Sequence, residues 1–455
     1  MSALSLFPDQ PLASPLTGGV IYWFRHDLRL HDQPALGQAA ALAGRLNGWL
    51  LPIYVHDQRL QAPSPWGFQR AGPHRRAWTG MAVHALAGQL GAIGSVLLQS
   101  QGDPVELLTR LVRALGDPVL VCEEIAAPEE QAQVEALLRR GVRVRTLWQS
   151  TLMTPEALPW PSQEVPDRFT TFRQVLERQG VRAAPALPAL RALPAPPPAQ
   201  LLQAARAVLP PAPEASASVP LAVDPRSAFP WDQPAFHGGE SAALAHLAKY
   251  CCKGLPHTYK LTRNGLDGVE GSSKWSPWLA TGALSARTAW AAIEAFEAEH
   301  GANESTYWLG FELLWRDHFR WLHCKHGYRL YRAQGLTDRP APAHDGEAFR
   351  RWCNAATGDD FIDAGMRELA ATGYLSNRMR QNVASYLIHD LGCDWRAGAA
   401  WFEAQLIDYD VCSNQGNWLY LSGRGTDPRP NRRFNTRLQA QTFDPEGRYR
   451  RKWSA

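Results

Sequence analysis

The chain has 455 residues, 45% of them hydrophobic and 20% charged, and a formal net charge of +4. This composition excludes a disordered or fibrous chain and leaves room for two or three domains. The mild basicity permits a nucleic-acid partner without demanding one.

No basic region followed by an apolar run opens the sequence, and no apolar stretch reaches bilayer length. A cytoplasmic chain with no membrane partner is expected. From residue 18 to 150, strand patterns at Val20–Phe24, Leu50–Val55, Val96–Gln99, Val119–Cys122 and Val142–Leu147 alternate with helical patterns near 34–46, 74–91, 104–115 and 128–140. Five short apolar runs spaced by helices predict an α/β domain over 1–155 with a doubly wound, parallel, five-stranded sheet. The turn after the first strand reads Phe24-Arg25-His26-Asp27-Leu28-Arg29 and lacks the glycines of a dinucleotide fingerprint, so a standard Rossmann cofactor site is not expected. Residues 156–230 read as a linker. Alanine and proline dominate 184–225, where a semi-rigid polyproline spacer is expected.

From 231 to 455 the pattern is all-α. A loop from Asn264 to Ser273, rich in glycine and serine, interrupts it before a helix starting near Pro277. Backbone N–H groups in such a loop can cradle phosphates, though most such loops only connect. Along the next long helix, Trp308, Glu312, Trp315 and Phe319 share a face. Glu312 and Arg316, four apart, could pair on a solvent face; a carboxylate flanked by tryptophans points instead to the floor of a site. His323-Cys324-Lys325-His326 matches no common zinc spacing and reads as helix surface. The stretch from Asp363 to Tyr420 is too rich in acids, arginines, amides and tryptophans for an ordinary core, and reads as the wall of a large polar ligand site. Within it Asn377, Arg380 and Gln381 face one way, and Arg380 could clamp Asp408 bidentately. Asp408 and Asp410 lack a supporting third ligand, so no metal is expected. The seven cysteines, with no C-x-x-C pair among them, read as reduced thiols. Arginines from 424 to 451, with Lys452, form either a solvated basic tail or a phosphate-backbone footprint.

Several long motifs, in order, carry a resemblance. Trp23-Phe24-Arg25-His26-Asp27-Leu28-Arg29-Leu30-His31-Asp32, Tyr259 to Gly265, Ser305-Thr306-Tyr307-Trp308, Phe311 to Asp317, Ser376 to Gln381 and Tyr409-Asp410-Val411 resemble the photolyase/cryptochrome family, and within it most the cryptochrome DASH subgroup. The resemblance implies an N-terminal antenna domain and a helical, FAD-binding catalytic domain over 231–455. It assigns Tyr259, Ser272, Ser273, Lys274 and Ser276 to the flavin phosphates and ribityl, and Arg316, Arg380, Asp408 and Asp410 to the rest of the flavin. Asn414 would lie close to its reactive nitrogen. Arg263, Glu312, Trp315, Asn377, Gln381 and Tyr420 would line the lesion cavity. Trp418 and Trp395 would pass electrons; the outer tryptophan of that chain is missing between Trp321 and Trp352, so photoreduction is expected either to use another route, through Tyr328 or Tyr331, or to be slow. Glu124 matches a folate-contacting glutamate, with a plain surface acid as the even alternative, so the implied antenna is 5,10-methenyltetrahydrofolate; a deazaflavin, a second FAD or an empty pocket stays open.

The implied activity is light-driven repair of cyclobutane pyrimidine dimers. Gln381 and Tyr420 stand where duplex-repairing relatives carry Met and Trp. The smaller ring stacks less, which points to single-stranded DNA, with RNA as an open alternative. Asn377 stands where a (6-4) photolyase carries histidine. A blue-light photoreceptor that binds nucleic acid with little repair is the competing function. A monomer is expected.

Overall fold

Five apolar runs become five parallel strands in the computed structural model, which describes residues 18–212, 223–426 and 432–454. They are β1 (Gly19–Phe24), β2 (Trp49–Asp57), β3 (Leu98–Gly102), β4 (Val119–Glu123) and β5 (Val144–Leu147). The sheet order is β3-β2-β1-β4-β5, with Val20 opposite both Leu50 and Val119. Helices α1 (Pro34–Arg45), α2 (Pro73–Ala92), α3 (Pro104–Ala114) and α4 (Pro128–Arg139) alternate with the strands. Each helix opens on proline, whose missing N–H costs nothing at a first turn. Buried on both faces, β1 and β4 are apolar almost throughout, which is what made the strands visible in the sequence.

The spacer expected over 184–225 is corrected in part. Residues 184–195 run along the α/β domain, where Leu190 N donates to Leu30 O and Leu50 N to Ala195 O. A proline-free window within the segment, Ala199–Val208, is helical and buries Ala205. Residues 213–222 lie outside the described ones. Upstream, Phe169–Arg178 is also a helix. With these two as α5 and α6, the remaining helices are α7 (Glu240–Cys252), α8 (Tyr259–Thr262), α9 (Ser276–Thr281), α10 (Ala286–His300), α11 (Glu304–His326), α12 (Gly346–Cys353), α13 (Asp360–Thr372), α14 (Asn377–Ser385), α15 (Trp395–Gln405), α16 (Val411–Leu421), α17 (Thr436–Phe443) and α18 (Arg448–Lys452). A capping box at Asn303 and Thr306 starts the long α11. Buried Trp352, Trp395, Trp418 and Trp453 share one core cluster, so much of the tryptophan content is packing.

The motif after β1 forms the seam between sheet and helices. Arg29 Nη1 donates to Gly282 O at 3.0 Å, Asp32 accepts from Arg287 at 2.9 Å, and Glu240 accepts from the backbone N–H groups of Leu30 and His31. Gly282 makes this approach possible. Its φ is +73°, and a Cβ there would stand 2.0 Å from the His26 carbonyl oxygen. The basic tail is docked by its aromatic residues and by some of its ion pairs, while Arg433, Arg437, Arg448 and Arg451 remain exposed. Tyr449 and Trp453 are buried, Arg433 pairs with Asp390, Arg450 with Asp444 and Asp360, and Lys452 with Asp267. Arg429 lies outside the described residues.

Candidate functional site

The Gly/Ser loop between α8 and α9, the middle of α11, the start of α14 and the turn before α16 enclose a cavity of about 260 Å³. Tyr259, Ser272, Ser273, Lys274, Ser276, Arg316, Arg380, Asp408 and Asp410 all line it. A second cavity of about 100 Å³ contains Asn414, Gln381 and Trp418. The two share Asn377, Arg380, Asp408, Asp410 and Ser413 as a common wall. Asn377, Arg380 and Gln381 thus face one way, as their helical spacing requires.

Charge organises that wall. Asp408 Oδ2 accepts from Arg380 Nη2 at 2.9 Å and from Ser276 Oγ at 2.6 Å. The clamp is not bidentate as expected, because Arg380 Nε is committed to the Leu375 carbonyl at 2.8 Å. Asp408 Oδ1 is buried and has no partner among the described residues. Asp410 pairs with Arg320, a residue the sequence reading missed although it lies one turn beyond Arg316 on α11. Burial raises the Asp410 carboxyl, but Arg320 and Arg316 outweigh it and hold the group well below the ordinary carboxylate range. Burial, with Arg320 nearby, lowers Arg316 to about 10. Lys274 sits at φ +59° with its ammonium 4.8 Å from the Tyr374 ring centroid. A long side chain held in the left-handed region marks a loop shaped for something other than connection. Asn414 donates its amide to Ala399 O at 3.1 Å, which leaves its carbonyl oxygen for the cavity.

Glu312 pairs with Arg263 from the end of α8, not with Arg316. Burial raises its pKa against the pull of that guanidinium. Glu312, Arg263 and Asn377 all line the larger cavity. Trp315 and Tyr420 do not. They line a third cavity of about 340 Å³ with Phe319 and with Phe169 of α5. Trp315 stacks on Phe169 at 3.9 Å and 14°, which covers one face of the indole. The residues assigned to the lesion are therefore divided among three cavities, and the one lined by Trp315 and Tyr420 shares no lining residue with the other two. Phe169 lay in the segment read as linker and gave no signal. Trp418 packs over Gly398 of α15, where a Cβ would meet its ring at 2.2 Å; Trp395 donates its indole N–H to Ala333 O.

Glu124 lies near Thr146, and burial raises its carboxyl to about 6. It lines none of these cavities. Its neighbour Glu123 does face a small enclosed cavity at the seam, of about 30 Å³, with Arg29, Arg316, Arg320 and Asp410. This is the crevice at the carboxyl ends of β1 and β4, where strand order reverses and α/β folds commonly bind ligands. Here Arg29, Arg316 and Arg320 are among its lining residues.

The quartet at the end of α11 is not surface, as expected, but half core. His323 is buried against Tyr331, and Lys325 and His326 both reach Asp167. Among the described residues no group of three or more His, Cys, Asp or Glu is placed to hold a metal, and no helix is long and apolar enough to cross a membrane.

Comparison with known proteins identifies the family of the chain. The family model for the FAD binding domain of DNA photolyase matches residues 308–455, and that for DNA photolyase matches residues 20–196. The chain is 42% identical over 445 residues to a cryptochrome DASH of Xenopus laevis, covering 95% of this chain and 82% of that one. It is 40% identical to a cryptochrome DASH of Synechocystis sp., with coverage of 95% and 87%. Among solved structures, a Synechocystis cryptochrome superposes with a TM-score of 0.87 at 38% identity, covering 96% of this chain and 88% of that one. A bacterial class III photolyase from Agrobacterium tumefaciens superposes with a TM-score of 0.77 at 28% identity, with coverage of 98% and 88%.

Proposed function

The chain belongs to the photolyase/cryptochrome family, and on that premise we propose that it is a blue-light-dependent flavoprotein that repairs cyclobutane pyrimidine dimers in single-stranded DNA. The observation that carries the reading is the Asp408 carboxylate. One oxygen is held by Arg380 and Ser276, and the other is buried without a donor among the described residues, in the wall common to two cavities. A buried acceptor of this kind calls for a donor on a ligand, and the hydroxyl and ring N–H groups of FAD are such donors.

FAD, bound and reduced, supplies the light-driven electron that opens the dimer's cyclobutane ring and recovers it afterwards. The residues of the chain bind and orient. Ser272, Ser273, the loop backbone and the Lys274 ammonium suit the diphosphate. Asp410, kept ionised by Arg320 and Arg316, stays an acceptor for ring N–H, and the free Asn414 oxygen accepts without adding charge. Glu312, raised by burial and lowered by Arg263, would hydrogen-bond a pyrimidine carbonyl through its protonated carboxyl as negative charge develops there. Arg263, Asn377 and Gln381 supply polar contacts to the base edges. Trp315 and Tyr420 supply stacking surface for a base out of its strand. Trp418 and Trp395 are the proposed route by which electrons enter from the protein. The proposed antenna is methenyltetrahydrofolate, which a folate-loaded preparation would reveal as a second absorption band; its contact with Glu124 would form near Thr146, outside the four cavities.

The test is illumination of the reduced, FAD-loaded protein with a thymine dimer in a single-stranded oligonucleotide and in the matching duplex. Blue-light-dependent dimer loss in the single strand alone is the expected result. Loss in neither substrate would overturn the repair reading and favour a light sensor or a flavoprotein that binds nucleic acid without repair. Equal loss in both would remove the strand preference and leave the repair.

A further inference from the structure

Buried His323 and half-buried Tyr331 form a pair that the proposed repair chemistry leaves unused. His323 is 2% exposed, and its Nδ1 lies 2.7 Å from the Phe319 carbonyl, which can only accept. The ring proton therefore sits on Nδ1, and Nε2 carries the lone pair. The Tyr331 hydroxyl, 3.1 Å from Nε2, is then the donor. Burial lowers the His323 imidazole to about 4 and holds the Tyr331 phenol well above its usual value, so both are neutral.

Nearby charges are already committed. Asp410 pairs with Arg320, His326 with Asp167, and Glu403 with Arg70. Glu130 on α4, the remaining acid close to the phenol, has its carboxyl raised by burial. Tyr331 packs against the core that holds Trp395 and Trp418. Two residues on, the Ala333 carbonyl accepts the Trp395 indole N–H at 3.1 Å. Gln415 of α16 holds the preceding carbonyl, Leu330 O, at 2.6 Å. By contrast, Tyr328 is 67% exposed and its hydroxyl reaches only Pro128 O, at 3.4 Å, so it has no base.

A tyrosine gives up an electron readily only if its proton has somewhere to go, and a neutral imidazole one hydrogen bond away is such an acceptor. We propose that Tyr331, with His323 as its base, is the terminal electron donor of this protein. Trp395, once oxidised by one electron to its radical cation, takes an electron from Tyr331 while the phenolic proton crosses to His323 Nε2. The products are neutral Trp395, a neutral tyrosyl radical and the His323 imidazolium; one electron and one proton move, and the charge balances. The radical is then held as a neutral species away from the flavin, which opposes back transfer. This rests on the electron-transfer reading of Trp418 and Trp395.

Two measurements test it. In the first, oxidised FAD-loaded protein is flashed with blue light in the presence of no external donor, for wild type and Tyr331→Phe, in H2O and 2H2O. Tyrosyl absorption should grow as the indole radical decays, more slowly in 2H2O, and Tyr331→Phe should lose that signal. Indole-radical decay identical in the two proteins overturns the proposal. Absence of any indole radical in wild type instead overturns the tryptophan reading beneath it. The second needs no flavin: 15N NMR of histidine-labelled apoprotein should show a hydrogen-bonded, unprotonated Nε2 at His323 that shifts in Tyr331→Phe. An unmoved resonance denies the pair itself.

Discussion

Replacing Asp408 with asparagine tests the charge arrangement at the centre of the site. The Asp408 side chain is 1% exposed and that of Arg380 is 22% exposed. Asparagine keeps an oxygen for Ser276 Oγ but removes the charge facing Arg380. Breaking a buried ion pair by removing one partner costs roughly 3–5 kcal/mol, because the other charge is left uncompensated. Arg380 keeps its bond to Leu375 O and some contact with solvent, which places this case at the lower end, about 3 kcal/mol. Chemical denaturation of the apoprotein measures it. The double variant Asp408→Asn/Arg380→Met should recover part of the loss, since no cation remains to be stranded. FAD titration gives the second readout: losing a charge-assisted acceptor at Oδ1 should weaken binding by about 1.5–3 kcal/mol, or roughly 10- to 150-fold. A single variant as stable as wild type and with unchanged FAD affinity would refute the reasoning, since Oδ1 would then serve neither the fold nor the ligand.

Glu312→Gln should lower dimer repair yield while FAD stays bound, because the amide cannot replace the carboxyl proton at the same geometry; equal yields would deny the role. Burial, with Asp27 nearby, raises Glu123 to about 8, so the native state holds a proton that the unfolded state releases above its ordinary value near 4.5. Stability should therefore fall as pH rises between these values, and Glu123→Gln should gain about 4 kcal/mol relative to wild type between pH 5 and pH 8, at ~1.4 kcal/mol per unit. Denaturation at the two pH values checks it, and a pH-independent difference would contradict it. Asp410 has the opposite sign. Its depressed pKa contributes stability above the unfolded value near 3.9 that is lost as pH falls through the folded one, so Arg320→Met should unfold at higher pH in an acid titration followed by circular dichroism.

The five strands were legible because burial on both faces leaves few polar residues in β1 and β4. The Arg380–Asp408 contact was legible because both residues stood in a stretch too polar for a core. What escaped were contacts between residues distant in sequence. Glu312 had Arg316 one turn away, yet it pairs with Arg263 across 49 residues, and Asp32 meets Arg287 across 255. With 47 cationic and 43 acidic side chains, pairing cannot be read from charge alone. It is set by which helices the core brings together, and that is decided by apolar packing. Trp315 shows the same limit from the aromatic side. Its helical spacing put it beside Glu312, but Phe169, in a segment read as linker, stacks on its face, and the two line a separate cavity. Periodicity gives a residue its side of a helix; the neighbour that occupies that side decides which cavity it serves. The same logic separates Tyr331 from Tyr328. Both lie in the stretch where the outer tryptophan is absent, and only the fold supplies one of them with a base.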